Sequence, residues 1–136
     1  MHYRLVLGCF LVSACAQRYS EPVTIRTSAA PDETFQCVRQ QLAALGYKQS
    51  TIDVDELRIT GTKINMNSRR PDTQFRRMLE RLEVDVSPEA DGQTSLSVRG
   101  HTFAEYTTQR GPTEVEERAS EEVRNARQQL IERCRG

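Results

Sequence analysis

Cysteine and histidine are the residue types most suited to metal or redox chemistry, and the chain has four cysteines and two histidines. Cys37 and Cys134 lie far apart in the sequence, whereas zinc sites use closely spaced pairs of ligands. A thiol redox site would use a Cys-x-x-Cys motif, and the sequence contains none. We therefore expect no metal and no cofactor, which leaves these two cysteines available to each other.

Beyond the first residues of the chain, His101 is the single histidine, and it shares the polar face of a predicted strand with Arg99. We expect it to be an ordinary exposed residue. A Ser–His–acid hydrolase places its serine at a sharp turn and orients the histidine with a buried carboxylate, and no serine here has such surroundings. The acidic cluster Asp53, Asp55 and Glu56 lacks the spacing and glycine of an EF-hand loop and is interpreted as a turn. The sequence predicts no catalytic residue.

The N-terminus has the composition of an export signal. Met1–Arg4 supplies a basic start, Leu5–Val12 an apolar centre, and Ser13 and Ala14 two small residues before a cysteine. The apolar centre is far shorter than the ~20 residues of a membrane-spanning helix. We therefore expect residues 1–14 to be removed, and we expect the mature protein to have no transmembrane helix.

The segment Val12–Cys15 resembles the lipobox of bacterial lipoproteins, in which an aliphatic residue and two small residues precede an invariant cysteine. The resemblance implies that the Cys15 thiol receives a diacylglycerol and that a peptidase then cuts before it. Each buried methylene contributes about 0.8 kcal/mol, so two or three acyl chains hold a domain at a membrane. In that family, Ala16 after the cysteine implies retention at the outer membrane, facing the periplasm. An ordinary leader with an incidental cysteine is the alternative.

Arginines are concentrated between residues 69 and 81, although the 19 basic and 19 acidic residues of the whole chain balance. This balance argues against a general nucleic-acid-binding protein, which needs excess cations to neutralise phosphates. The cluster could contact an anionic surface such as lipid headgroups, or an acidic partner. A plain charged face, diluted by Asp72 and Glu80, is the alternative. The cluster consists of Arg69, Arg70, Arg76, Arg77 and Arg81.

Two segments have the apolar period of amphipathic helices. The first runs from Pro31 to Gly46, since proline suits a first turn and glycine a stop. Its apolar stripe consists of Phe35, Val38, Leu42 and Leu45. The second starts after Pro112, where Thr113 and Glu116 form a capping-box pattern. Its stripe consists of Val115, Ala119, Val123, Ala126 and Leu130.

Elsewhere the apolar period shortens to two residues, which indicates strands. Val23–Ile25 is predicted to form a short strand, Ile52–Ile59 to contain one hairpin, and Leu82–Val98 to contain a second. Gly61 is expected to mark a bulge. Residues 75–82 fit both periods, and we favour a strand because the alternation that follows needs a partner of matching length.

Helices with one apolar stripe and strands with one apolar face close as a two-layer sandwich. The expected fold is α+β in the order β-α-β-β-β-β-α. An antiparallel sheet of about four to five strands carries both helices on one face. After a lipidated tether, residues 15–22, we expect residues 23–136 to form this single domain, an arrangement that resembles the helix-grip fold.

The two distant cysteines lie near opposite ends of the predicted helices. If the helices pack side by side and antiparallel, Cys37 near the start of the first meets Cys134 at the end of the second. An exported protein enters an oxidising compartment, where such a pair forms a disulfide. We therefore predict a Cys37–Cys134 disulfide.

Taken whole, the chain resembles small bacterial lipoproteins. These proteins combine a lipobox, a helix with an aromatic residue and a cysteine that ends in Gly-Tyr, two hairpins, and a closing helix with a second cysteine. The matching residues are Val12–Cys15, Phe35, Cys37, Gly46, Tyr47 and Cys134. The order of elements also resembles the helix-grip domains of a lipoprotein accessory to outer-membrane protein assembly.

These resemblances imply a lipid-anchored protein of the bacterial cell envelope. Because the sequence shows no catalytic constellation, we expect that it is not an enzyme. We expect it to bind or scaffold another envelope component, such as a protein partner. A carrier that holds a lipid or small molecule in a cavity between sheet and helices is the alternative. A hydrolase acting on the cell wall would require a cleft with paired carboxylates.

Overall fold

The computed structural model describes residues 19–136, so the lipobox residues Val12, Ser13, Ala14 and Cys15 lie outside the described residues. The described chain is α+β, with an antiparallel sheet of six strands and two helices. This confirms the predicted class, with one strand more than the expected maximum. The elements are β1 (Val23–Thr27), α1 (Pro31–Ala44), β2 (Lys48–Asp53), β3 (Arg58–Asn65), β4 (Phe75–Pro88), β5 (Thr94–Thr108), β6 (Gly111–Glu117) and α2 (Glu121–Cys134).

The strand order is β1-β5-β4-β3-β2, and every neighbouring pair is antiparallel. β6 also pairs with β5, so β1 and β6 share one side of that strand. β1 lies along Thr94–Val98 and β6 along Thr102–Thr108. β2 forms the opposite edge of the sheet.

One apolar layer lies between the helices and the sheet. Alternation along β4 directs Leu82, Val84 and Val86 into this layer, where each is at most 2% exposed. Val38 of α1 and Leu130 of α2 are completely buried in the same cluster. Burial of one such side chain contributes about 1.5–3 kcal/mol, so this layer is the main source of stability that attaches both helices to one face.

Residues 111–117 form strand β6, where the periodicity predicted the start of the second helix. β5 continues to Thr108, and its outer side offers backbone groups to which these residues pair. Val115, assigned by the sequence to the helical stripe, is 49% exposed on β6. The predicted helix start was therefore wrong, because a pairing strand was available to satisfy this segment's backbone.

Helix α2 begins at Glu121, eight residues after the predicted cap at Thr113. Ser120 is its N-cap, and the Ser120 Oγ accepts a hydrogen bond of 3.2 Å from the Val123 N–H. A side-chain acceptor at this position satisfies a backbone donor that has no partner within the helix. The strand and the helix are therefore separated by only a short connection.

The favoured strand over residues 75–82 is confirmed, since β4 runs through them and pairs with β5 along its length. The bulge expected at Gly61 is on the neighbouring strand instead. Gly61 pairs in register with Leu82, and the irregularity lies between Gln49 and Thr51 of β2. Gly61 instead allows α1 to pack closely against the sheet, because it has no side chain.

The predicted disulfide is present between Cys37 and Cys134, whose Cα atoms are 5.7 Å apart. It joins the first half of α1 to the last turn of α2, as the antiparallel packing of the helices required. Since 97 residues separate the two cysteines, the bond closes nearly the whole domain.

Candidate functional site

A groove of about 490 Å³ opens between α2, the end of α1 and the end of β3, with β4 beneath it. We call it the α2 groove. Its polar lining consists of Tyr47, Lys63, Asn65, Asn67, Glu80, Glu122, Asn125 and Gln129. Its apolar lining consists of Leu45, Ile64, Met66 and Ala126. The volume is within the range of about 300–1,000 Å³ typical of ligand sites.

Tyr47 is placed in this groove by two glycines. Gly46 ends α1 in a left-handed conformation, with φ of +84°, and turns the chain toward the sheet. Gly61 on β3 leaves room for the tyrosine, because a Cβ atom there would lie 3.0 Å from the Tyr47 Cβ. The tyrosine is only 5% exposed as a result.

The Tyr47 hydroxyl makes no hydrogen bond with any residue of the described chain, although its side chain is almost completely buried. Burial raises the pKa of this hydroxyl, and the carboxylates of Glu80 and Glu122 raise that pKa further. Lys63 lies on the other side, its Nζ 5.8 Å from the tyrosine ring centroid and 3.3 Å from the Leu45 carbonyl oxygen, to which it donates. The hydroxyl thus points into a polar groove with its hydrogen-bonding capacity unused.

Glu80 is a buried carboxylate beneath the groove and is 2% exposed. Thr102 Oγ1 donates to its Oε2 at 2.7 Å, and Ser120 Oγ donates to its Oε1 at 2.9 Å. Burial raises the pKa of the Glu80 carboxyl, while these two hydrogen bonds act in the opposite direction. Since both oxygens are occupied by hydroxyl donors, Glu80 holds the start of α2 against the sheet.

Glu122 forms the opposite wall on α2 and is exposed. The Asn65 Nδ2, at the end of β3, donates to the Glu122 Oε2 at 3.0 Å and closes one end of the groove. Asn125 and Gln129 follow on the same helical face, at the spacing of three and four residues that aligns side chains along a helix. The wall therefore presents one carboxylate and two primary amides to the groove.

The groove has the groups for binding by hydrogen bonds and charge. Two carboxylates line it, as a cell-wall hydrolase would require, but one of them, Glu80, is engaged by two hydroxyls in the buried layer. The groups left with free capacity are the Tyr47 hydroxyl, the Glu122 carboxylate and the amides of α2. Such a set recognises polar and charged groups of a ligand.

The arginine cluster predicted from the sequence lies largely in ion pairs with glutamates of β5 and β6. Arg70 pairs with Glu117, Arg76 and Arg77 with Glu105, and Arg81 with Glu114, at distances of 2.5 to 3.4 Å. Arg69, the fifth member, is exposed. The paired glutamates offset most of the positive charge of this cluster.

His101 lies on the sheet face away from the helices, as predicted, but its side chain is only 12% exposed. The Nδ1 is 2.6 Å from the Glu116 Oε1, and the Nε2 is 3.2 Å from the Glu83 Oε2. Its ring also stacks on Phe103, with 5.7 Å between the centroids. The histidine therefore links three adjacent strands.

The α2 groove was not predicted from the sequence. One signal for it was present: Glu80 lies between Met78 and Leu82 at the inward positions of a strand, where an acid must find partners or a function. Tyr47 appeared only within a family resemblance. The remaining groove residues come from β3 and α2, which only the packed fold brings together.

No protein-family model matches this chain, and no curated protein is significantly similar to it. Within residues 19–136, neither helix has the length and apolar composition that crossing a bilayer requires. The same residues hold no group of three or more Cys, His, Asp or Glu side chains arranged to bind a metal ion. The groove and the N-terminal sequence are therefore the features of this protein that bear on its function.

Proposed function

We propose that this protein is a lipid-anchored lipoprotein of the bacterial envelope that binds another envelope component through the α2 groove and is not an enzyme. Cys15 is the site of acylation, and residues 16–22 connect it to the domain. The N-terminal pattern around Val12–Cys15 supports the anchor. The Cys37–Cys134 disulfide supports an oxidising compartment.

The observation that carries the binding function is the Tyr47 hydroxyl. It is held in a side chain that is 95% buried, and it has no partner among the described residues. The hydroxyl oxygen itself is open to the groove, so a bound ligand can reach it. A ligand in the α2 groove would supply the missing partner.

The chain before β1 supports an orientation for this groove. Ser20 Oγ donates to the Gly100 carbonyl oxygen at 2.5 Å, and Arg127 Nη1 donates to the Glu21 carbonyl oxygen at 3.2 Å, so this segment is held beside β5. Four residues from Cys15 to Tyr19 span at most about 14 Å. The β1 and β6 side of the sheet would then lie near the membrane, and the groove, which borders β3, would be available to a component in the aqueous compartment.

The alternative, a carrier with a cavity between sheet and helices, has less support. The layer between them is filled by side chains, among which Leu82, Leu96 and Leu130 are completely buried. The α2 groove lies at the end of this layer and has a largely polar lining. A long acyl chain would therefore have to displace core side chains.

The test is site-specific photo-crosslinking in living cells. A photoreactive amino acid replaces Met66, which is 79% exposed at the rim of the groove, and a matched control replaces Val54, which is 60% exposed at the other end of the β2–β3 hairpin. We expect a reproducible product from Met66 that Val54 does not form. Gln129→Arg, which fills the groove from the exposed side of α2, abolishes this product.

A Cys15→Ser variant tests the anchor in the same cells. We expect it to leave the membrane fraction and to lose the Met66 product. Equal crosslinking from both positions, or a product unaffected by Gln129→Arg, would contradict binding in the groove. Membrane association that persists in Cys15→Ser would contradict the lipid anchor.

A further inference from the structure

We propose that the ligand of the α2 groove is a basic peptide segment of a partner protein, with a lysine or arginine side chain placed between Tyr47 and Glu122. This inference rests on the proposed function, because it assumes that the groove is a binding site. It adds the chemistry by which the partner is recognised.

Charge is the first argument. The groove lining contains two carboxylates, Glu80 from the sheet and Glu122 from α2, and one ammonium group, that of Lys63. The ammonium group is already held by the Leu45 carbonyl oxygen and the face of the Tyr47 ring. Because Glu80 is buried and engaged by two hydroxyls, Glu122 is the carboxylate within reach of a ligand, and it attracts a cation and repels an anion.

The unused Tyr47 hydroxyl is the second argument and is independent of charge counting. A lysine ammonium or arginine guanidinium has only donors, and the phenol oxygen accepts such a donor. Glu122 lies on the other wall and has lone pairs beyond the one used by Asn65. The pair would bind a cationic head from two sides, with hydrogen bonds strengthened by charge.

The amides of α2 indicate a peptide in preference to a free cation. Asn125 and Gln129 are exposed and four residues apart on the groove side of the helix. Each primary amide can donate to a carbonyl and accept from an N–H, which matches one peptide unit. At the rim, Ile64 and Met66 are 41% and 79% exposed, and they offer apolar contact to a chain that continues out of the groove.

The test is a peptide titration of the full chain carrying Cys15→Ser, in which ¹H–¹⁵N NMR spectra are recorded at each peptide concentration. The probes are the capped tripeptides Ala-Lys-Ala, its side-chain-acetylated form and Ala-Glu-Ala. We expect saturable shifts at Tyr47 and in the side-chain amides of Asn125 and Gln129 with the lysine peptide alone. Equal shifts with the acetylated or the glutamate peptide, or no shifts with any peptide, would overturn the proposal.

Two variants of α2 make the test specific. Glu122→Gln removes the groove carboxylate and keeps an acceptor for Asn65, while Glu121→Gln makes the same charge change at an adjacent exposed position outside the groove. We expect Glu122→Gln to weaken the lysine peptide by about fivefold or more, and Glu121→Gln to leave its affinity within about twofold. Equal weakening in both variants would overturn the contact with Glu122.

The outcome separates this inference from the proposed function. N-acetylglucosamine and spermidine are titrated as further probes, a neutral polar ligand and a free amine. If either one shifts the groove resonances while the lysine peptide does not, the peptide is overturned and the groove remains a binding site. If the Met66 crosslink is absent as well, the proposed function fails with it.

Discussion

Ser120 Oγ donates a hydrogen bond of 2.9 Å to Glu80 Oε1, and this contact joins the N-cap of α2 to the central strand β4. Ser120 also caps the helix by accepting from the Val123 N–H. Thr102 completes the arrangement, since its hydroxyl donates to the other Glu80 oxygen and accepts the Ser120 N–H at 2.9 Å. The position of α2, and of Glu122 in the groove, therefore depends on one buried carboxylate.

Removal of the Ser120 hydroxyl should destabilise the domain. Ser120→Ala removes a helix cap, which costs about 1 kcal/mol, and leaves the Glu80 carboxylate with one donor fewer, which costs about 1–3 kcal/mol. We expect the free energy of unfolding to fall by roughly 2–4 kcal/mol in urea denaturation. Ser120→Thr keeps the hydroxyl and should lose less than half of that. Equal losses in the two variants would show that the hydroxyl is not responsible.

Glu80 should make stability depend on pH. Its folded-state pKa is raised above the ordinary value of 4.5, so its contribution to stability is complete below pH 4.5 and is lost as pH rises through the raised pKa. Glu80→Gln cannot titrate, and its amide can accept from one hydroxyl and donate to the other. We therefore expect the stability of the variant relative to the natural protein to increase from pH 4.5 toward neutral pH.

Urea denaturation at several pH values between 4 and 8 measures this difference. Glu121→Gln, which makes the same change at an exposed acid of α2, is the matched control and should show no such trend. Parallel stability curves for the Glu80→Gln variant and the natural protein would contradict the raised pKa.

The disulfide should contribute substantially to stability. The two cysteines are separated by 97 positions in the sequence. For a closed loop of about that length, the chain-entropy model gives a stabilisation of up to about 4.7 kcal/mol. We expect the double variant Cys37→Ala/Cys134→Ala to lose several kcal/mol in urea denaturation. The natural protein in reductant should unfold at nearly the same midpoint as the double variant, and unchanged midpoints in both would contradict this role.

Gly61→Ala should disturb the position of Tyr47. The added Cβ would lie 3.0 Å from the Tyr47 Cβ and 3.2 Å from the Leu42 Cδ2, so both side chains must move. Such overpacking costs about 1–3 kcal/mol, and we expect a loss of this size in the free energy of unfolding together with shifted NMR resonances of Tyr47. Thr60→Ala on the same strand is the control. Unshifted Tyr47 resonances would show that the groove tolerates a side chain here.

The sequence predicted the elements whose periodicity is strong within a single segment. The stripe of α1 and the alternation of β4 both lead to buried positions, as Val38 and Val84 illustrate. It failed at residues 111–117, where Thr113 and Glu116 fitted a helix cap by local pattern. The outer side of β5, which these residues join, is a partner that no local pattern records.

The charges illustrate the same limit. The sequence identified the arginine cluster because its members are neighbours, but the pairing glutamates are remote. Glu117 lies 47 residues from Arg70, and Glu105 lies 28 residues from Arg77. Whether such a cluster forms a positive surface depends on which strands pair, and β5 and β6 place acids next to these arginines.

The sequence by itself determined the α+β class, the inward faces of the helices and central strands, and the pair of cysteines that join the helices. The class and the inward faces follow from the spacing of residues along one element, because the period of a helix or strand is a property of the local backbone. The cysteine pairing followed from the expected antiparallel packing of the two helices. The tertiary structure alone decided that 111–117 is a strand, that Ser120 meets Glu80, and that an unpartnered Tyr47 hydroxyl opens into the α2 groove. Those outcomes depend on contacts between elements far apart in the chain, and packing and backbone pairing select them only once the sheet has formed.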